Sequence, residues 1–287
     1  MASLQDLRTR LRGVKATQKI TQAMKMVAAA KLKRATDRVH GSQPYAAALA
    51  DLVRQCLAEV NAADWPILRS AGADEYPLYV VIGGERGLCG AFNNNLLREV
   101  RRTFRRHRAL NQRWQTLCLG KKPFDGLVRE FANSFLIREP RASSLNPVEA
   151  AELAQKLVDG FVSGRYSSIN LIYNHMASAI KQDPTHKALL PLHMPEPAPT
   201  NDRFEYSDPK PELLAQLLTS HLAAQLYSIS LENAAGEQAA RMVAMDNATR
   251  NAGKMISRLS LQYNRQRQAN ITREIIEIVS GAGAQAG

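Results

Sequence analysis

The stretch GGERGLCGAFNNNL, residues 83–96, is where this sequence comes nearest to chemistry. It follows a short β-branched run and precedes a helical pattern, the place where a phosphate-binding loop sits in nucleotide-binding proteins. The spacing does not match that chemistry: it has neither G-x-x-x-x-G-K-[ST] nor G-x-G-x-x-G. Gly83, Gly84, Gly87 and Gly90 therefore read as shaping a tight strand-to-helix turn, with a nucleotide-binding enzyme as the competing reading. Cys89 lies beside Arg86, and a neighbouring cation lowers a thiol pKa. No His or Asp nearby completes a nucleophilic arrangement, so Cys89 reads as a small structural residue. The six histidines show no metal-ligand spacing, and no carboxylate pair stands out as an acid and its base. No catalytic residue, metal or cofactor is expected.

The elements around this turn alternate. YPLYVVIGG, from Tyr76, reads as a buried strand and NNNLLREVRRTFRRHR as a helix. WQTLCLG is a second strand, FLIRE a weaker third, and YSSINLIYN another. NPVEAAELAQKLVDGFVSG carries full helix punctuation: Asn146 as cap, Pro147 at the first position, Gly164 at the end. Such alternation predicts an α/β domain with a largely parallel sheet over residues 75–195.

The two ends differ from the middle. Leu4, Leu7, Leu11 and Val14 step by three and four along one stripe. The apolar pattern then slips at Gln18 and Thr21 and resumes as Ile20, Met24, Val27, Ala28, Leu32, Ala35 and Val39. Gly41 and Pro44 predict a kink or break before the helix resumes, which gives an N-terminal arm over residues 1–60. PLHMPEPAPTNDRFEYSDPKP is a proline-rich linker or surface loop. Beyond Pro211 there is no proline. From Glu212 to Ser280 the pattern is helical, with Met245, Ala248, Ala252, Met255 and Leu259 on one stripe and Ile271, Ile275 and Ile278 continuing it. At about 1.5 Å per residue this C-terminal arm, within residues 212–287, would reach about 100 Å unbroken. Each arm has a narrow seam rich in Ala and Met, which predicts that the two pair as an antiparallel coiled coil. An ordinary helical bundle is the alternative.

The chain has 287 residues and a net charge of +12, from 38 basic and 26 acidic side chains. That excess implies an anionic partner and leaves nucleic acid, an anionic membrane surface and an acidic protein open. Between Asp6 and Asp37 there is no carboxylate, and RRTFRRHR at Arg101–Arg108 is a second basic cluster. Aromatics are only 6% of the chain and none lie among the N-terminal cations, so stacking platforms for bases are missing. Nucleic acid survives as the second reading. The three cysteines are scattered and form no C-x-x-C pair, which favours reduced thiols in a cytosol-like compartment. MASLQDLRTRLRG lacks the apolar core of a signal peptide, and no apolar run approaches the roughly 20 residues that span a bilayer. The expectation is a soluble chain able to dock on something membranous.

Four separated segments occur in a recognisable order: TQKITQAMKMVAAAKLKRA, ERGLCGAFN, EQAARMVAMDNATRNA and ITREIIEIVSGA. Together they resemble the gamma subunit of the F-type ATP synthase, bacterial type. The resemblance implies an antiparallel coiled coil of the terminal helices with a central Rossmann-like α/β domain. It also implies a non-catalytic rotor shaft that turns inside a hexamer of alpha and beta subunits. The epsilon subunit and the membrane-embedded c-ring would be its further partners, with no nucleic acid. Nucleotide sites would belong to alpha and beta. By position in the family motifs, Met24, Lys25, Arg241, Arg267, Gln268 and Thr272 would face the hexamer, with Lys25 meeting acidic loops of the beta subunits. Tyr206 is the candidate for the c-ring contact. The cysteine-bearing insert of chloroplast members is missing. The implied location is peripheral, at the cytoplasmic face of a bacterial inner membrane.

Overall fold

A computed structural model of the chain describes residues 3–58, 67, 76–192 and 210–285. It divides into two compact units: residues 1–28 with 242–287, and residues 29–241. Two long helices contribute to both, α1 (Leu4–Ala58) and α5 (Lys210–Gln285). The remaining elements, all in the second unit, are β1 (Tyr76–Ile82), α2 (Phe92–Ala109), β2 (Gln115–Leu119), α3 (Lys121–Phe131), α4 (Pro147–Val162), β3 (Tyr166–Met176) and β4 (Gln182–Leu190).

In that second unit the strands form one sheet in the order β2-β1-β3-β4. The first three are parallel and β4 runs antiparallel to β3. Successive β1 side chains point to opposite faces, and both faces are covered. Leu78, Val80 and Ile82 join a core with α4 residues Leu153, Leu157 and Phe161, and with Val53 of α1 and Leu218, Leu222 and Leu226 of α5. Tyr79 and Val81 pack on the other side with Leu96, Val100 and Phe104 of α2 and Leu127 and Phe131 of α3. This is the α/β layering that the alternating pattern predicts. The expected Asn146 cap of α4 is present and closes as a capping box: the Asn146 side chain accepts from Glu149 N–H, and Glu149 reaches back to Asn146 N–H at 2.8 Å.

Several sequence expectations are corrected. FLIRE is not a strand: Phe135 makes only an isolated bridge to Thr116. The fourth strand is instead β4, whose Pro184 and charged residues hide it in the sequence but suit a sheet edge. Helix α3 carries Pro123 in its first turn, where a missing N–H costs little. It also carries Gly126, where an added Cβ would meet the Leu97 side chain at 2.7 Å. Helix α1 does not break at Gly41 and Pro44, both of which are exposed, while Val39, Ala46 and Leu49 on its other face stay at least half-buried. The linker at 193–209, with Tyr206, lies outside the described residues.

The stripe along α1 does not slip. Half-buried and buried positions step by three and four through Leu4, Leu7, Leu11, Val14, Gln18, Thr21, Lys25 and Ala28, and onward to Cys56. Ile20 and Val27, chosen for their apolarity, are 60% and 55% exposed. A strict three-four repeat is the coiled-coil period, and it is kept here by polar residues where apolar ones were expected. On α5 the corresponding seam is Met245, Thr249, Ala252, Ile256 and Leu259, while Met255 is 51% exposed. Ile271, Ile275 and Ile278 are exposed as well, so the stripe is not covered there by this chain.

Candidate functional site

In the first unit the functional surface is the pair of helical arms. Thr249 Oγ1 donates to Thr21 Oγ1 at 2.8 Å, and Lys25 Nζ donates to Asp246 Oδ1 at 2.6 Å. At Gly253 an added Cβ would meet the Gln18 side chain at 3.3 Å, so the axes lie close there. Residues 25, 21 and 18 on one arm thus meet 246, 249 and 253 on the other, which is an antiparallel pairing in constant register. Thr21, Ala28, Met245 and Ala252 are small or flexible enough to fill so tight a seam. On the same register Leu4 is level with about residue 267.

Lys25, expected to face outward, is turned into the seam and paired with Asp246, although 44% of its side chain stays exposed. The hydrogen bond from Lys25 is the main cause that holds the Asp246 carboxyl below its ordinary pKa. A second from Arg250 adds to it against slight burial. Met24 is half-buried beside Lys25, while Arg267, Gln268 and Thr272 are exposed. Arg8, Arg12, Lys15 and Lys19, spaced by four and three, are exposed too and give α1 a basic face in this unit, with Arg10 exposed on another side.

In the second unit the turn at residues 83–90 is gripped by α5. Asn233 Nδ2 donates to Gly83 O at 3.0 Å. The Glu237 carboxylate accepts from the backbone N–H groups of Glu85 and Arg86, each at 3.3 Å. Arg241 pairs with Glu237 and donates to Gly87 O at 3.2 Å. These three residues sit four apart, on one face of the helix. Gly84 N–H is taken by Asn93 Oδ1 at 2.9 Å. The backbone donors of Gly84, Glu85 and Arg86 are therefore occupied, and a carboxylate of the chain itself sits where a phosphate would compete for them. Glu85 in turn accepts from Ser143 N–H at 2.6 Å and Lys121 N–H at 3.3 Å, which ties the turn to the start of α3.

Arg241, expected to face a partner, is only 9% exposed because this grip consumes it. Cys89 is buried, accepts from Asn93 Nδ2 at 3.2 Å, and has its thiol pKa pushed up by burial first and by Glu237 second. A raised thiol is a poor nucleophile, in line with a structural role. Burial likewise pushes up the Cys118 thiol. Among the described residues no cluster of His, Cys, Asp and Glu has the arrangement of a metal site. One residue that sequence reasoning passed over is Leu88. It sits at φ 62° and is 62% exposed, so the gripped turn displays an apolar side chain from a backbone conformation leucine seldom adopts.

The arms and the gripped turn are built from the same segments on which the family resemblance rests. The family model described as ATP synthase matches residues 3–285. The chain belongs to the ATP synthase gamma-chain family. It is 45% identical over 291 residues to the ATP synthase gamma chain of Methylobacterium sp. (strain 4-46), covering 99% of this chain and all of that one. To the gamma chain of Rhodospirillum rubrum it is 42% identical over 298 residues, with the same coverage. Among solved structures it is similar to a chain of the Tetrahymena thermophila mitochondrial ATP synthase central stalk and c-ring. That similarity has a TM-score of 0.60 at 30% identity and covers 80% of this chain and 99% of that one. A chain of the Euglena gracilis mitochondrial enzyme in rotational state 3 shares the fold at a TM-score of 0.66 and 20% identity, covering 98% and 94%.

Proposed function

We propose that this chain is the non-catalytic central rotor shaft of an F-type ATP synthase. Its antiparallel arms turn within a hexamer of alpha and beta subunits, and its α/β domain works with an epsilon subunit on a c-ring. Proton-driven rotation of the ring is carried by the arms to the catalytic beta subunits, for synthesis or hydrolysis of ATP. The observation that carries the reading is the antiparallel seam at residues 18–25 and 246–253, in a chain that belongs to this family over its whole length.

The surface suits such a task. Met24, Arg267, Gln268 and Thr272 would touch the hexamer, joined by the outward part of Lys25 and by Leu88. Arg241 would act one step behind, by holding the turn that displays Leu88. Tyr206 would meet the c-ring. Exposed ion pairs between the basic face and acidic loops are individually weak, about 0–1 kcal/mol, which lets a turning surface leave each partner. Among the described residues no helix is long and apolar enough to cross a membrane. In this reading the chain would be held at the cytoplasmic face of a bacterial inner membrane through its partners.

The test is reconstitution. Purified alpha and beta subunits are assayed for ATP hydrolysis with and without this chain. Activity should rise severalfold when it is added, and a mixture no more active than alpha and beta alone would overturn the reading.

A further inference from the structure

The basic cluster at Arg101–Arg108 has no part in the shaft reading, and it borders a cavity of about 670 Å³. The cavity lies beyond the ends of α2 and α3, beside the first residues of β1 and β2. Arg108, Arg113 and Arg129 line it together with Trp114, Phe131 and Asn133. Among the described residues that line it the one carboxylate is Glu130, and it is already committed. Arg101 Nε donates to Glu130 Oε2 at 3.0 Å, and Arg105 donates to Oε1 at 3.0 and 3.2 Å. Burial raises the Glu130 pKa, but those hydrogen bonds outweigh it and hold the carboxyl below its ordinary value.

The three lining guanidiniums are left without a counter-charge: among the described residues none has a carboxylate within 4.0 Å. Arg108 is fixed in place, donating to Glu130 O at 2.9 Å and lying 5.0 Å over the Phe131 ring. The side chains of Arg113 and Arg129 make no hydrogen bond within the described residues. Cations near a helix C-terminus answer the helix dipole, which accounts for Arg108 and Arg129. It does not account for Arg113, which lies beyond the end of α2. Positive charge that the described residues leave unpaired, gathered at a concave, aromatic-walled site, lowers the energy of an anion placed there. Guanidiniums match the geometry of phosphate oxygens in particular.

We infer that this cavity binds a phosphate group, with Arg108 as the fixed donor and Arg113 and Arg129 closing on it. The inference is independent of the shaft reading. The group could arrive on a soluble phosphate compound or on a lipid headgroup, and the arms of the test separate the two. The full chain is titrated calorimetrically with pyrophosphate and with ATP, and in parallel sedimented with vesicles containing an anionic phospholipid. The variant is Arg113→Gln with Arg129→Gln, whose side chains have no internal hydrogen bond to lose, so its melting temperature should fall by no more than a few degrees, the helix-dipole contribution of Arg129. Binding in at least one arm should weaken about tenfold for each arginine removed and fall with added salt. Saturation by pyrophosphate or ATP would identify a soluble ligand, and binding to vesicles alone a headgroup. No binding in either arm, or binding that the double variant leaves unchanged, would overturn the inference.

Discussion

Helix α5 does two different jobs in its two halves. From Leu214 to Arg241 buried positions crowd together: Leu214, Leu218, Leu222 and Leu226 at every fourth residue, then Ile229, Leu231, Ala235 and Ala239. Burying one such leucine contributes about 1.5–3 kcal/mol, so this half anchors the fold of its unit. Among the described residues from 242 onward only Met245 and Ala252 are buried, and every residue of 271–279 is exposed. A helix polar on most faces gains little from packing and rests on propensity and its narrow seam. The first half stabilises; the second presents surface. A segment that must meet several partners in turn is better served by the second arrangement, because little of its own stability depends on any contact.

The largest test of this contrast concerns the buried grip. Glu237→Ala leaves the Arg241 guanidinium buried without its counter-charge and frees two backbone N–H groups of the turn. Such changes cost about 3–5 kcal/mol. The urea midpoint should fall accordingly, and amides at residues 84–88 should exchange faster. Replacing Glu237 and Arg241 together by Met should recover part of the loss. If the single variant unfolds at the parent's midpoint, the grip contributes nothing and the first half of α5 owes its stability to leucines alone.

The second test sharpens the seam assignment within the other half. Ala252→Glu places a charge in the tight pairing of the arms, whereas Met255→Glu, three residues on, places it on an exposed face. The first should cost about 1–3 kcal/mol of pairing, read as faster amide exchange along residues 14–25 and 245–260. The second should leave those rates unchanged. Equal effects would mean that the arms are paired on a different face.

That pair of variants also marks how far the sequence could be read. The α/β layering, the α4 cap and the two long arms follow from periodicity and punctuation, which are local. The seam is written in spacing rather than in hydrophobicity. Ile20 and Val27 are apolar but off the three-four repeat, and Gln18, Thr21 and Lys25 are polar but on it. The Leu4-to-Val14 rhythm, continued regardless of residue type, runs through all three. The grip was invisible for a different reason. Asn233, Glu237 and Arg241 show a four-residue spacing, but their partners at Gly83–Gly87 lie about 150 residues away. Nothing local says which turn a helix face will meet. Lys25 combines both difficulties, since its partner Asp246 is distant and its place in the seam contradicts its polarity.

The smallest effect expected is at that pair. Asp246 has its pKa lowered in the folded chain, first by the Lys25 hydrogen bond and then by Arg250. A depressed carboxylate contributes stability above its unfolded pKa of about 3.9, and loses that contribution as pH falls through the folded value. Cross-arm pairing should therefore weaken only in acid, below about pH 4, and be flat around neutrality. Lys25→Ala removes the leading cause but keeps Arg250 on the same helix. The Asp246 carboxyl, followed by its carbon chemical shift, should then titrate at higher pH, part of the way back to an ordinary aspartate. Asp246→Asn should abolish the acid-dependent loss of amide protection at residues 18–25. An Asp246 midpoint that stays put in Lys25→Ala would mean that Arg250 alone sets it. The lysine would then be free to meet a partner, and the arms would be held together in this stretch by Thr21, Thr249 and the small residues around them.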